Sequence, residues 1–250
     1  MVVNTFEFSS GEGITQKKGV VMKRLITLLI VPLALLFSAN IATAELPWQF
    51  SEHTRYMVMG DSLSAGYGAI PQTQGYAYRL YQQGVFDVAN KTIFSNSSVP
   101  GATSGDVLAY QVPQALMFKP DVITITVGGN DLTAILGGAE PELILTKFGN
   151  NLFFILKQLV DETDAVVYIS NLYTISEIPG ADLVVPAFNQ VVAGVASAFG
   201  DRVYVADTYG AFEDRNGLLL IDRHGAGMFE IHPTNAGHKA MAEAFKAVIE

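Results

Sequence analysis

The stretch "MVMGDSLSAGYGA", Met57 to Ala69, decides how the chain is read. A short apolar run ends abruptly in Gly60-Asp61-Ser62, and small residues follow. A strand that stops in this way leaves a hydroxyl at its carboxyl end. That hydroxyl is either an ordinary loop group or a nucleophile. The difference lies in its partners, because serine attacks only with a base in hydrogen-bond reach and donors aimed at the oxyanion that forms.

The same pattern recurs along the chain. Apolar, partly β-branched runs predict strands at Tyr56–Met59, Thr92–Ser95, Val122–Val127, Val166–Ser170 and Val203–Ala206. Their near-continuous apolar character suits strands buried on both faces. Helices are predicted between them at Tyr76–Gln83, Pro141–Leu159, Pro186–Phe199 and Asn235–Val248. In the last, Ala240, Met241, Ala244, Phe245 and Val248 form one apolar face. Strand-helix alternation implies a mostly parallel sheet covered on both sides. Ligand sites of such sheets lie beyond the carboxyl ends of the strands. Gly60-Asp61-Ser62 follows the first strand, Asn96–Gly101 the second, and Gly128-Gly129-Asn130-Asp131 the third. Three polar, glycine-bearing segments therefore share one edge.

The 250 residues are 50% hydrophobic and 16% charged, a composition that supports one well-filled core. Part of the apolar excess is N-terminal. Met22-Lys23-Arg24 precedes "LITLLIVPLALLFSANIATA", which ends in Ala42-Thr43-Ala44. A basic segment, an apolar stretch and an A-x-A site read as a secretory signal peptide cleaved near Ala44. The alternative is a membrane anchor, which Ser38, Asn40 and Thr43 weaken. Residues 1–21 precede a second plausible start at Met22 and are taken as an extension outside the fold. Residues 1–44 are thus extension and signal, and 45–250 one domain, exported to the periplasm or the medium. Cleavage removes four basic and two acidic residues, so the net charge of −9 deepens by two. That acidity argues against nucleic acid and against anionic membrane surfaces as partners. The chain has no cysteine, which excludes disulfides, thiol catalysis and cysteine metal sites.

Histidine is the usual base for serine, with an ordinary pKa near ~6.5. The chain has four. His53 precedes the first strand, His224 lies in the turn-like "DRHGAG", and His238 falls inside the last helix. His232, in "FEIHPTNAGH", follows the last strand and precedes the last helix, and Pro233 restricts its backbone to extended conformations. It is the histidine placed near the polar edge. Gly101 can offer an unobstructed backbone N–H and Asn130 a side-chain amide. Each also has a plain reading, Gly101 as a Pro-Gly turn and Asn130 as a left-handed or Asx-turn residue.

"GDSLS", Asn96 to Gly101, "GGND" and "HPTNAGH" resemble, in order, the four sequence blocks of the SGNH, or GDSL-type, hydrolases. The resemblance spans about residues 55–245. It implies a three-layer α/β/α sandwich with a flavodoxin-like sheet, and a serine ester hydrolase without metal or organic cofactor. It implies Ser62 as nucleophile, His232 as general base, and Ser62 N–H, Gly101 N–H and Asn130 as the oxyanion hole. The family usually places Asp three residues before the histidine, where this chain has Phe229. Glu230 is the nearest acid, two residues before His232, and Asp222 a distant candidate. Glu230 reaches the imidazole, or a backbone carbonyl orients a Ser-His dyad, or the protein is catalytically weak.

No G-x-S-x-G elbow, G-x-G-x-x-G or G-x-x-x-x-G-K-[ST] occurs, which disfavours α/β-hydrolase esterases and nucleotide binding. Asp61, Asp106 and Asp131 sit on separate loops without metal-ligand spacing. "LPWQF" and the apolar loop Leu172–Val185 are candidate acyl-contact segments. They favour short- to medium-chain acyl esters, lysophospholipids or thioesters over carbohydrate esters. A carbohydrate acetylesterase or acyltransferase, and a non-catalytic or weakly catalytic binding module on the same scaffold, are the alternatives. Oligomeric state is not legible from the sequence.

Overall fold

The computed structural model describes residues 53–86, 91–214, 216–221 and 230–249, all within one compact unit, Glu52–Glu250. Its centre is a five-stranded, wholly parallel sheet. The strands are β1 (Thr54–Gly60), β2 (Thr92–Asn96), β3 (Val122–Thr126), β4 (Val166–Ser170) and β5 (Val203–Ala206), in the spatial order β2-β1-β3-β4-β5. Each predicted strand is present, within two residues at either end. The central strands β1, β3 and β4 are the most buried, whereas every residue of the edge strand β2 is half-buried.

The helices are α1 (Tyr76–Gln82), α2 (Val112–Phe118), α3 (Gly129–Leu136), α4 (Pro141–Glu162), α5 (Ala181–Ser197), the single turn α6 (Thr208–Ala211) and α7 (Asn235–Ile249). Alternation along β1 divides the core. Met57 and Met59 face one layer with Phe148, Leu152, Phe188 and Val192 of α4 and α5. Tyr56 and Val58 face the other with Leu80 of α1 and Met241 and Phe245 of α7. The Tyr76 and Phe245 rings stack there with centroids 4.7 Å apart.

Three expectations change. The first concerns α3, which begins at Gly129 directly after Gly128 at φ +114°. "GGND" is therefore a helix start, and Asn130 is in a helix rather than a left-handed or Asx turn. Second, residues 104–118, for which no element is predicted, form Ser104–Asp106, a wide π turn Val107–Gln111, and α2. Third, α5 starts at Ala181, five residues before Pro186. An interior proline costs a helix about 3 kcal/mol, but burial of Ala181, Val185 and Phe188 offsets it. The loop expected over Leu172–Val185 is thus part loop, part helix. "LPWQF", the signal-peptide pattern, His224, Asp222 and Phe229 lie outside the described residues.

β1 is the switch point of the sheet. The chain leaves it for β2 on one side and returns through β3 on the other. Connections diverge there, opening a crevice at the carboxyl ends of β1 and β3.

Candidate active site

Gly60 ends β1 at φ +121°, and a Cβ there would lie 2.0 Å from the Thr126 carbonyl oxygen. Only glycine lets β1 stop this close to β3. The Gln111 side chain clamps the same peptide, accepting from Gly60 N–H at 2.6 Å and donating to Gly60 C=O at 2.8 Å. Gln111 comes from the π turn, a distortion that often marks functional sites. Asp61 turns inward and is buried. Its Oδ1 accepts from Leu63 N–H at 3.0 Å and Thr126 Oγ1 at 2.8 Å. Burial pushes its carboxyl from the ordinary 3.8 up to about 6, against the pull of those two hydrogen bonds and with a small push from Asp131. Ser64, also buried, bonds Thr126 Oγ1 and the Tyr76 hydroxyl, each at 2.8 Å. With Asp61 and Ser64 turned into the fold, the Ser62 side chain between them remains partly accessible.

His232 reaches Ser62 from across the molecule. Residues 230–234 run antiparallel to 218–221: Leu220 N–H donates to His232 C=O, Ile221 N–H to Glu230 C=O and Thr234 N–H to Leu218 C=O, at 2.7–3.0 Å. Gly68 (φ +90°) admits this ribbon, since a Cβ there would lie 2.4 Å from the Pro233 carbonyl oxygen. His232 Nε2 then lies 2.8 Å from Ser62 Oγ.

The ribbon also answers the question raised at Phe229. Glu230 and His232 are two apart, and the Glu230 carboxylate is hydrogen-bonded to His232 Nδ1. The same Oε1 accepts from the His232 main-chain N–H at 3.2 Å. A carboxylate only accepts, so the proton sits on Nδ1 and the Nε2 lone pair faces the Ser62 hydroxyl. That is the arrangement in which an imidazole can take the serine's proton.

The loops after β2 and β3 are cross-linked beside Ser62. Asn130 Nδ2 donates to Ala102 C=O at 2.9 Å. Asp131, buried, accepts from Ser104 N–H at 2.8 Å and from Ser104 Oγ at 2.6 Å. Burial raises its pKa despite those bonds. Asn130 keeps a second amide hydrogen, and Gly101 lies exposed at the bend of the neighbouring loop. Neither Ser62 N–H nor Gly101 N–H donates to an acceptor among the described residues. Ser62 N–H, Gly101 N–H and one amide hydrogen of Asn130 are thus left without an acceptor among the described residues.

A cavity of about 100 Å³ opens from Ser62 and His232. Its lining is mostly aliphatic, with Leu132, Leu172 and Val185 among it, and carries Thr133, Ser170 and Asn171 as polar members. Asp61, Tyr173 and His232 are the ionisable side chains along it. Tyr173 donates its hydroxyl proton to Ile231 C=O at 2.8 Å, securing the ribbon next to His232. Among the described residues no group of three or more His, Cys, Asp and Glu side chains could hold a metal ion. Sequence reasoning missed Gln111, and held Tyr173 only as part of the candidate acyl-contact loop, not as an anchor of the ribbon. Their signal is weak: one polar residue in an apolar run, and one aromatic in a loop.

The profile of the GDSL-like lipase/acylhydrolase family matches residues 58–240. A search of curated proteins finds no significant match. Among solved structures, the lipase Lip_vut3 from a goat rumen metagenome is 27% identical, with a TM-score of 0.64 over 79% of this chain and 100% of its own. TesA is 26% identical, with a TM-score of 0.57 over 79% and 98%. The acetylxylan esterase Axe2 of Geobacillus stearothermophilus, 19% identical, shares the fold at a TM-score of 0.62 over 78% and 94%.

Proposed function

The chain belongs to the GDSL-like lipase/acylhydrolase family, and on that footing we propose that it hydrolyses carboxylic esters through an acyl-Ser62 intermediate. The observation carrying this reading is the line Glu230–His232–Ser62, with 2.8 Å between Nε2 and Oγ at the mouth of an apolar cavity. Ser62 Oγ attacks the acyl carbonyl as Nε2 takes its proton. Ser62 N–H, Gly101 N–H and the free amide hydrogen of Asn130 hold the tetrahedral oxyanion. His232 returns the proton to the leaving alcohol or thiol. A water activated by the same imidazole then cleaves the acyl-enzyme. Glu230 holds the tautomer and stabilises the imidazolium that forms twice per turnover.

The cavity favours the acyl group as the part recognised. Most of its exposed wall is aliphatic, with Thr133, Ser170 and Asn171 as scattered polar members, which favours an acyl chain over a sugar as the group bound there. Short- to medium-chain acyl esters, lysophospholipids and thioesters fit this wall. The N-terminal signal pattern supports an exported enzyme, and among the described residues no helix is long and apolar enough to cross a membrane.

The test is a panel of p-nitrophenyl esters of increasing acyl length, with fluorophosphonate labelling in parallel. Ser62→Ala abolishes both turnover and labelling. Asn130→Ala lowers kcat by ~10²–10³ while labelling persists at a reduced rate. Full hydrolysis by Ser62→Ala ends the proposal.

A further inference from the structure

Tyr67 belongs to neither the acyl cavity nor the hydrogen-bonded line through Glu230, yet its ring lies against His232. The two centroids are 4.3 Å apart and the planes tilted by 51°. The side chain is 49% exposed, so core packing does not explain its position. The backbone on either side of it is pinned instead. Tyr67 N–H donates to Ser62 C=O at 2.9 Å. Tyr67 C=O accepts from His238 Nε2 at 2.9 Å. His238 is fully buried in α7, and its Nδ1 accepts from Tyr76 N–H at 3.3 Å, which fixes the proton on Nε2. Burial drives its pKa down to about 4, keeping it neutral. Tyr67 is therefore tied at one end to the residue that carries the nucleophile and at the other to a helix of the core.

We infer that Tyr67 is a positioning residue for His232, seating the imidazole towards Ser62 and stabilising the imidazolium through the face of its ring. This rests on the reading of Ser62 and His232 given above. The face of an aromatic ring is electronegative and attracts a cation within ~6 Å of its centroid. His232 acquires charge when it removes the Ser62 proton, and loses it on passing that proton on. The attraction is therefore stronger in the transition state than in the ground state, and such an interaction raises kcat rather than lowering KM. The groups that face His232 are the Glu230 carboxylate at Nδ1, the Ser62 hydroxyl at Nε2 and the Tyr67 ring. Asp61 and Tyr173 line the same cavity, and neutral His238 stands behind Tyr67. Glu230 works at the edge of the imidazole and Tyr67 on its flank, so the two contributions are separate. Only the ring is needed, since the Tyr67 hydroxyl makes no hydrogen bond to a described residue.

Tyr67→Phe, Tyr67→Leu and Ser62→Ala are compared on p-nitrophenyl acetate and on an alkyl acetate, with thermal melts alongside. Tyr67→Phe keeps kcat on both. Tyr67→Leu, which retains bulk without an aromatic face, loses two- to fivefold in kcat with KM and melting midpoint unchanged. The loss is greater for the alkyl ester, whose alkoxide needs the imidazolium proton to depart whereas p-nitrophenolate does not. Wild-type kcat for Tyr67→Leu on both esters overturns the inference. So does a loss confined to KM, which makes Tyr67 a substrate contact. Activity surviving in Ser62→Ala removes instead the reading on which the inference stands, and the two failures are read from different variants.

Discussion

Replacing Glu230 tests how the base is oriented, and the structure sets different outcomes for two variants. One oxygen of Glu230, Oε1, meets both the Nδ1 and the main-chain N–H of His232. In Glu230→Gln the amide must present its oxygen at that point, because its NH₂ would face the backbone donor. The correct tautomer survives and only the charge is lost. A hydrogen bond to a charged group is worth about 1–2 kcal/mol more than a neutral one. Glu230 is 28% exposed in its side chain, so solvent screens part of this. At ~1.36 kcal/mol per decade, kcat falls about five- to thirtyfold. Glu230→Ala removes the acceptor altogether. Nothing then holds the proton on Nδ1, and the loss moves towards the ~10⁴ that a wrong tautomer costs in a buried triad. The assay is steady-state kcat on p-nitrophenyl butyrate, with the rate of fluorophosphonate labelling as an independent measure of Ser62 activation. Near wild-type rates in both variants would mean that a Ser-His pair suffices. A glutamine variant as slow as the alanine variant would refute the single-oxygen argument.

Filling the cavity separates acyl lengths. Ala181 lines it, and Ala181→Phe should leave acetyl esters turning over while kcat/KM for hexanoyl esters drops about 100-fold, at ~0.8 kcal/mol for each of the three or four methylenes displaced. Asp61 governs stability against pH. Its carboxyl is raised to about 6, so its contribution is intact below pH ~4 and lost as pH rises through 6. Asp61→Asn keeps the oxygen that Leu63 and Thr126 donate to, and should be more stable at pH 8 by on the order of 2–3 kcal/mol, with no gain at pH 4. His238, lowered to about 4, has the opposite slope, losing stability as pH falls from ~6.5 to 4. Wild-type melting midpoints should thus change little between pH 4 and 6, and those of Asp61→Asn should fall with acid. A flat profile in the variant would contradict the assignment.

The strands were legible because a parallel sheet buried on both faces leaves uninterrupted apolar runs. Helices α3 and α2 were not. Gly-Gly-Asn-Asp has the composition of a loop, and α3 starts there because Asn130 and Asp131 are held by Ala102 and Ser104, contacts no local pattern reveals. "SGDVLAYQVPQALMF" hides a helix behind Gly105 and Pro113, and its π turn follows from Gln111 reaching Gly60. Ser62, His232, Gly101 and Asn130 stood out because each follows a strand or precedes a helix at one sheet edge. Glu230 stayed open because the expected spacing assumes a different local backbone. The backbone bends at His232, which lets Glu230 Oε1 meet both Nδ1 and the main-chain N–H, and the hydrogen bonds to residues 218–221 that hold this bend join segments whose partnership the sequence does not announce.

The polar interior beneath Ser62 shows what that placement costs. Asp61, Ser64, Thr126 and Tyr76 form one buried hydrogen-bonded chain, and Gln111, also buried, holds Gly60 N–H and C=O. Such a network contributes little net stability compared with a packed apolar core, since each bond mainly replaces one to water. Its effect is directional. Each bond fixes the turn that carries Ser62 to the end of β1 or β3, the most buried part of the sheet. His232 is held differently, by main-chain hydrogen bonds of a short ribbon, by the Tyr67 ring and by the Tyr173 hydroxyl on Ile231 C=O. Ser62 is therefore fixed by the core, and the His232 imidazole is brought to it from the rim. A substitution on the ribbon should change how often Nε2 meets Oγ and leave the global melt nearly unmoved. One in the network beneath Ser62 should change both.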